Sequence, residues 1–288
     1  MRIAVVSAKG QLGAAVVQAA GEQHEVVTFE RSTLDVTDAA AVEQAIARVK
    51  PEVVINCSGY NMVDAAESHP VEALQVNAFA VRALARAARQ AGAVLVHYST
   101  DFVFDGTAST PMTEDVPPNP RSTYASSKLL GEWFAADAPT HYVLRVESLF
   151  GVAPGGPDKG SLTSIVKGLR AGSTVKVFGD RTVSPTYIDD CARATLALLE
   201  RRAEPGLYHC VNSGAATWHA VGLEAARQLG VTPNFEVVSV ADVKLPAARP
   251  QYCALSNAKL NAAIGYEMPT WQDALARYLS LKSLVPSP

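Results

Sequence analysis

Arg2-Ile3-Ala4-Val5-Val6, then Ser7-Ala8-Lys9-Gly10-Gln11-Leu12-Gly13, then Ala14-Ala15-Val16-Val17-Gln18-Ala19-Ala20 open the chain. The first stretch is a short apolar run of buried-strand type, and the alanine-rich third stretch reads as a helix. A glycine turn between strand and helix is the setting of a dinucleotide fingerprint. Gly10 stands where the backbone must approach a pyrophosphate, and Gly13 where the helix packs closely on the strand. The helix N-terminus then offers unpaired N–H groups and a positive dipole end to phosphates. Ser7 replaces the first glycine of the pattern, at a cost on the order of 1 kcal/mol if that position needs positive φ. An ordinary strand-to-helix turn looks the same up to this point, so the rest of the chain decides.

Outward from this turn the pattern alternates. Glu25-Val26-Val27-Thr28-Phe29 reads as the second strand, and Asp38 as the cap of a helix through Val42, Ile46 and Val49 that Pro51 ends. Val53-Val54-Ile55-Asn56 is the third strand. A long alanine-rich helix from about Val71 to Gln90 stops at Gly92. Val94–Tyr98 is the fourth strand, and a proline- and threonine-rich loop spans about Phe102 to Arg121, a length that often marks function. Helix Ser122–Ala136 and strand Tyr142–Arg145 complete the series. Strands alternating with helices predict an α/β fold with a doubly wound parallel sheet, of the Rossmann kind, whose ligands sit at the carboxyl ends of the strands.

Residues 1–150 therefore read as a dinucleotide-binding domain. Residues 151–288 read mainly as a smaller substrate-binding lobe, some segments of which return to the first domain. That lobe begins in a loop rich in proline and glycine, Ala153-Pro154-Gly155-Gly156-Pro157-Asp158. Helices follow at about Ser161–Ala171, Ile188–Glu200, Thr217–Leu229 and Trp271–Leu281, with a strand at Leu207–Val211.

Composition excludes several classes. With 288 residues the chain can bury a large core, and a net charge of -3 without a basic block speaks against nucleic acid. No apolar run reaches the roughly 18 residues of a membrane span, and Met1 leads straight into a strand, without a signal-peptide pattern. The four cysteines and six histidines are scattered, with no spacing that suggests a metal site or a redox pair. A cytoplasmic protein with reduced thiols is expected.

The chemistry sits in two stretches. Ser99-Thr100-Asp101 ends the fourth strand, and Tyr124-Ala125-Ser126-Ser127-Lys128 lies on the next helix. Residues four apart share a helix face, so Tyr124 can present its hydroxyl beside the Lys128 ammonium. A nearby cation favours phenolate and is expected to lower the tyrosine pKa from about 10. Such a tyrosine exchanges a proton with a carbonyl or alcohol oxygen near neutral pH, and Thr100 supplies a second hydrogen bond to that oxygen. Glu30 and Arg31 end the second strand about 20 residues beyond the glycine turn, where a ribose 2′ position is read. The acid suits a 2′-hydroxyl and the arginine a 2′-phosphate.

Together these residues resemble a family. The GQLG turn, Ser99-Thr100-Asp101-Phe102-Val103-Phe104-Asp105-Gly106, the loop from Thr113-Glu114-Asp115 to Pro120, Tyr124-xxx-Lys128 with Gly131-Glu132, and Ser184-Pro185-Thr186 carry the likeness. The chain resembles the extended short-chain dehydrogenase/reductase superfamily and, within it, the dTDP-4-dehydrorhamnose reductase-like branch. The resemblance implies an NAD(P)H-dependent reduction of a nucleotide-linked 4-keto-6-deoxy sugar. Tyr124 would donate a proton to the C4 ketone, Lys128 would bind the nicotinamide ribose, and Thr100 would hydrogen-bond the ketone oxygen and Tyr124. Gly10, Gln11 and Leu12 would meet the pyrophosphate, Asp35 and Val36 the adenine, and Ser58, Gly59 and Tyr60 the cofactor. Asn77 would lie near the site. Asp101, Glu147, Ser148 and Arg249 would join Thr100 on the substrate side, with Arg249 available to a diphosphate. NADP(H) is expected to be preferred, with NAD(H) an alternative and a homodimer left open.

The chain also departs from the family. Cys57 and Ser58 stand where alanines are usual. After the fifth strand the family reads Arg-Thr-Ser-Trp, the tryptophan helping to bind the sugar, whereas this chain reads Arg145-Val146-Glu147-Ser148. An aromatic platform is lost and a carboxylate gained, which is expected to change the preferred substrate; a structural, salt-bridged Glu147 is the other reading. The same frame also carries a non-catalytic regulatory subunit, like the β subunit of methionine adenosyltransferase, and NAD-dependent sugar-nucleotide epimerases. The intact Thr100, Tyr124 and Lys128 favour the reductase.

Overall fold

The computed structural model describes residues 1–21 and 23–283. The last residues of the expected second lobe, 284–288, lie outside the described residues. The first half runs β1 (Arg2–Val6), α1 (Gln11–Gly21), β2 (Glu25–Phe29), α2 (Ala39–Val49), β3 (Val53–Asn56), α3 (Val63–Ser68), α4 (Pro70–Leu74), a π turn (Gln75–Phe79), α5 (Ala80–Ala91), β4 (Val94–Thr100), α6 (Thr123–Ala135) and β5 (His141–Val146). It continues through β6 (Leu149–Phe150), α7 (Ser161–Arg170), β7 (Val175–Phe178), β8 (Thr182–Val183), β9 (Thr186–Tyr187), α8 (Ile188–Glu200) and β10 (Gly206–His209). The chain closes with β11 (Ala216–Thr217), α9 (Trp218–Leu229), β12 (Phe235–Val238), α10 (Ala258–Ile264) and α11 (Trp271–Ser283).

Six parallel strands form one sheet in the order β10-β5-β4-β3-β1-β2. Alternate side chains of a strand point to opposite faces, and both faces here are apolar. Ile3 and Val5 pack with Leu12 and Val16 of α1 and Leu198 of α8, while Ala4 and Val6 pack with Val42 and Ile46 of α2 and Leu84 of α5. Helices therefore cover both sides, which is why β1, β3 and β4 read as near-continuous apolar runs. Residues 188–209 belong to this layer, since α8 packs on α1 and β10 pairs with β5.

A second core lies beyond residue 149. Phe150, Leu162, Val166, Tyr187, Trp218, Trp271 and Tyr278 meet in it. Three two-stranded ribbons, β7 with β12, β6 with β9 and β8 with β11, edge this lobe. No helix among the described residues is long and apolar enough to cross a membrane.

The β1–α1 turn explains its residues. Ser7 has φ 61°, so the position does need the left-handed conformation and the serine carries the strain. A Cβ on Gly13 would lie 2.2 Å from the Ser7 carbonyl oxygen, which forces glycine where helix meets strand. Gly13→Ala is expected to cost about 1–3 kcal/mol of stability, read as a lower urea midpoint at unchanged m-value. The long helix expected from Val71 to Gln90 is interrupted by the π turn at Gln75–Phe79. Asn77, fully buried in that turn, binds the Tyr60 backbone through both side-chain atoms and donates to Ser127 Oγ. A π turn adds one residue per turn and often marks a functional site; here it holds the segment after β3 against α6.

Candidate active site

The carboxyl ends of β1, β3 and β4 open on a cavity of about 450 Å³. Ser7, Gly10, Gln11 and Leu12 form one wall, Cys57, Ser58 and Gly59 the floor, and Thr100, Asp101, Phe102, Tyr124 and Lys128 the far wall. Ser148, Leu149, Lys159 and Gly160 approach from the second lobe. A wider groove of about 580 Å³ between α1 and α8 contains none of the expected site residues.

Sequence places Tyr124 and Lys128 one helical turn apart on α6, which begins at the Ser122 cap, whose side chain accepts from Ala125 N. Tyr124 packs edge-on against Phe102, with ring centroids 5.6 Å apart. Its carbonyl accepts from Ser127 Oγ, which Asn77 holds in turn. The expected lowering of the tyrosine pKa is corrected by the structure. Burial pushes the Tyr124 phenol up, and the Asp101 charge adds to the rise, against a hydrogen bond with Thr100 that favours phenolate. Lys128 does not offset this, because its Nζ donates to the Tyr98 carbonyl at 2.5 Å. Burial brings Lys128 itself down to about 8, with Glu132 and Cys57 opposing the fall. Tyr124 is therefore a neutral proton donor at neutral pH.

Thr100 ends β4. Its Oγ1 donates to Asp101 Oδ1 at 3.0 Å and accepts from Phe102 N at 3.2 Å. Directly beneath, Glu132 of α6 grips Arg145 of β5 through two bonds of 2.9 and 2.7 Å and accepts from Ser99 Oγ at 2.5 Å. This buried pair ties α6 to β4 and β5, and so fixes Tyr124 relative to Thr100.

The other expected residues divide. Ser58 lines the cavity and is held by Asn56 Oδ1, which accepts from its N and Oγ. Tyr60 packs with Ala66, Ala73 and Tyr124 instead of lining the cavity. The Gln11 side chain is spent on a strap between lobes, donating to the Gly151 and Lys159 carbonyls at 3.0 Å each. At the end of β2, Glu30 pairs with Lys9 at 2.8 Å. Asp35 accepts from the Thr37 hydroxyl at 2.7 Å, and Val36 packs toward the α2 side of the core. Ser148 lines the cavity at φ 47°, a left-handed conformation in place of an aromatic platform. Glu147 is 1 % exposed and lies behind the wall, its Oε2 accepting from Ser184 N at 2.7 Å. It is structural in that contact, but it bonds a backbone amide and has no salt bridge among the described residues. Arg249 stands off the cavity, paired with Asp64 at 2.8 Å, its guanidinium 5.8 Å from the Phe102 ring.

Sequence reading missed Arg181 and Cys253. Arg181, 9 % exposed, donates to the Pro250 carbonyl at 3.2 Å and to Cys253 Sγ at 3.7 Å, with its guanidinium 5.2 Å from the Phe102 ring. Oxygens of Asp101 and Glu147 and the Cys253 sulfur lie within 4.8 Å of one another. Arg181 already supplies the positive charge for this cluster. Cys191 and Cys210, distant in sequence, bring their sulfurs to 3.5 Å.

The cavity fits a dinucleotide. The first amides of α1 have no intrahelical partner and open onto the wall formed by Gly10, Gln11 and Leu12. Beside Gly10, a Cβ would sit 3.1 Å from the Ser7 carbonyl oxygen, so the turn stays bare for a phosphate.

A Tyr-xxx-Lys helix facing a glycine turn across a doubly wound parallel sheet defines a short-chain dehydrogenase/reductase of the extended kind. The chain belongs to the dTDP-4-dehydrorhamnose reductase-like branch of that superfamily: the family model described as RmlD substrate binding domain matches residues 1–283. It is 36 % identical over 279 residues to the dTDP-4-dehydrorhamnose reductase of Streptomyces griseus, covering 94 % of this chain and 90 % of that protein. The solved dTDP-4-dehydrorhamnose reductase of Clostridium acetobutylicum superposes with a TM-score of 0.91 at 31 % identity, covering 98 % of this chain and 100 % of that one. The Bacillus anthracis enzyme of the same name, solved in complex with NADP, gives a TM-score of 0.91 at 28 % identity over 97 % of this chain and 99 % of that one.

Proposed function

We propose that the chain is a dTDP-4-dehydrorhamnose reductase-like enzyme that reduces the C4 ketone of a nucleotide-linked 4-keto-6-deoxy sugar with NADPH, a step of dTDP-rhamnose biosynthesis. The observation that carries this reading is the meeting of Thr100, Tyr124 and Lys128 on one cavity wall, opposite the glycine turn. When bound, the reduced nicotinamide supplies the hydride. Tyr124, kept neutral by burial, gives its proton to the oxygen as the carbonyl is reduced. Thr100 orients that oxygen and the phenol. Lys128, charged below about pH 8 and anchored on the Tyr98 carbonyl, holds the ribose. Gly10, Gln11 and Leu12 meet the pyrophosphate, Asp35 and Val36 flank the adenine, and Ser58, Gly59 and Tyr60 shape the cofactor's bed. Asp101 and Ser148 face the sugar, Glu147 backs that wall, and Arg249 turns to the diphosphate when Asp64 yields it. NADPH consumption on a panel of nucleotide-linked 4-keto sugars tests the assignment; turnover of none of them, with NADPH bound, contradicts it.

The preference for NADP(H) rests on charge. Lys9 offsets Glu30, while Arg31 is exposed and makes no ion pair among the described residues, which suits a 2′-phosphate. Arg31→Ala is expected to weaken NADPH by about 10-fold, the scale of one charge-assisted hydrogen bond, and to leave NADH unchanged in calorimetry. Equal loss for both cofactors would place the 2′ site elsewhere.

A further inference from the structure

Two carboxyl groups sit nearly buried at the back of the cavity, and proton donation by Tyr124 leaves their state unexplained. Asp101 is 3 % exposed and Glu147 1 %. Asp101 Oδ1 accepts from Thr100 and Glu147 Oε2 from Ser184 N. The second oxygen of each, Asp101 Oδ2 and Glu147 Oε1, is buried without a hydrogen-bond partner among the described residues. An oxygen of one lies within 4.8 Å of an oxygen of the other. Two carboxylates this close in a dry site cannot both ionise cheaply, and a buried acceptor left without a donor is unfavourable. One proton answers both demands, because a carboxylic acid has the O–H that a carboxylate lacks.

The surrounding charges agree. Arg181 is the cation that attracts both groups. Cys253, Tyr252 and Tyr124, which also face the pair, are neutral when protonated, and burial opposes ionisation of all three. One guanidinium balances one carboxylate and leaves the other group to carry a proton. Thr100 stands between this pair and the chemistry, since its hydroxyl donates to Asp101 Oδ1 and it lines the same cavity wall as Tyr124.

We propose that Asp101 and Glu147 share one proton as a buried acid–carboxylate pair, and that on the reductase reading this proton returns to Tyr124 through Thr100 after each turnover. Tyr124 loses its O–H bond to the reduced oxygen of the substrate. The Thr100 hydroxyl, which donates to Asp101 Oδ1 at rest, then turns and gives its proton to Tyr124, and the Asp101 carboxyl rotates to bring its acid proton to Thr100 in its place. The pair is left doubly ionised against Arg181, and once product has left a solvent acid reaching the cavity that Asp101 borders gives it one proton, its conjugate base staying in solvent. The Glu147 that stands where the family reads serine thus makes a proton store of the Thr100–Asp101 step.

Two measurements test it. The ligand-free protein at neutral pH should show the infrared carbonyl band of an un-ionised carboxylic acid in an apolar site, and both Glu147→Gln and Asp101→Asn should remove it. Glu147→Gln should also lower kcat by about 10-fold, less than loss of the direct donor, while the single-turnover rate from a pre-protonated Tyr124 stays at the wild-type value. Small buffer acids should restore its kcat. Absence of the band from the wild type, or a parallel fall of kcat and single-turnover rate, overturns the proposal, as does a kcat that does not move. Failure of the wild type to reduce any 4-keto sugar would instead overturn the assigned reaction, and the infrared band would still decide the pair.

Discussion

Tyr124→Phe should lower kcat by about 10²–10⁴-fold, the range expected for one general acid, with the NADPH Kd nearly unchanged. The substitution removes only the hydroxyl. The ring keeps its edge contact with Phe102 and its packing on Ala66 and Ala73, so the wall of the cavity stays in place. On the proposed roles, Lys128→Ala should damage turnover and NADPH affinity together, because it would remove the ribose contact and the cation of the cavity wall. Thr100→Ala should be milder than Tyr124→Phe, since the proton donor remains. Initial rates and calorimetry on the three variants separate these outcomes; wild-type turnover in Tyr124→Phe would move the proton donor to another residue.

The largest loss of stability is expected from Glu132→Ala. Arg145 is 2 % exposed and its guanidinium is gripped by both Glu132 oxygens, with the Phe104 ring 4.9 Å away. Removing the carboxylate leaves a buried charge without its partner, which costs roughly 3–5 kcal/mol. Ser99 loses its acceptor in the same step. A double variant, Glu132→Leu with Arg145→Met, should recover much of the loss, because apolar replacements of similar volume need no partner. Urea unfolding of the single and double variants reads both effects. A single variant as stable as wild type would show that the pair does not brace α6 against β5.

Much of this architecture was legible in the residues. Ranges at Glu25–Phe29, Val53–Asn56 and Ile188–Glu200 match the elements observed, because apolar periodicity and caps are local signals. The two- to four-residue strands of the second lobe left no such trace. β8, β9 and β11 are two residues long and are set by tertiary pairing. The π turn was invisible for a related reason: its cause is Asn77 reaching Tyr60 and Ser127, contacts made across space.

The site divides in the same way. Tyr124, Lys128 and Thr100 were readable because helix spacing and strand ends place them. The charge state of Tyr124 was misread, since i,i+4 spacing says nothing about Nζ turning to the Tyr98 carbonyl or about the depth of burial. Arg181 and Cys253 carry no motif and meet Asp101 and Glu147 only through the fold of the second lobe. Glu147 was noticed as a departure, but its place behind the wall depends on the Ser184 amide.

The central claim is reduction at C4 of a nucleotide-linked keto sugar by a Tyr124 proton and a nicotinamide hydride. The most direct test gives the protein NADPH deuterated at the transferable position together with dTDP-4-dehydrorhamnose and follows the label by NMR. The expected result is deuterium on C4 of the sugar with one NADPH oxidised per sugar. Retention of the label on NADPH, whether with an epimerised sugar or with no reaction, would contradict the account.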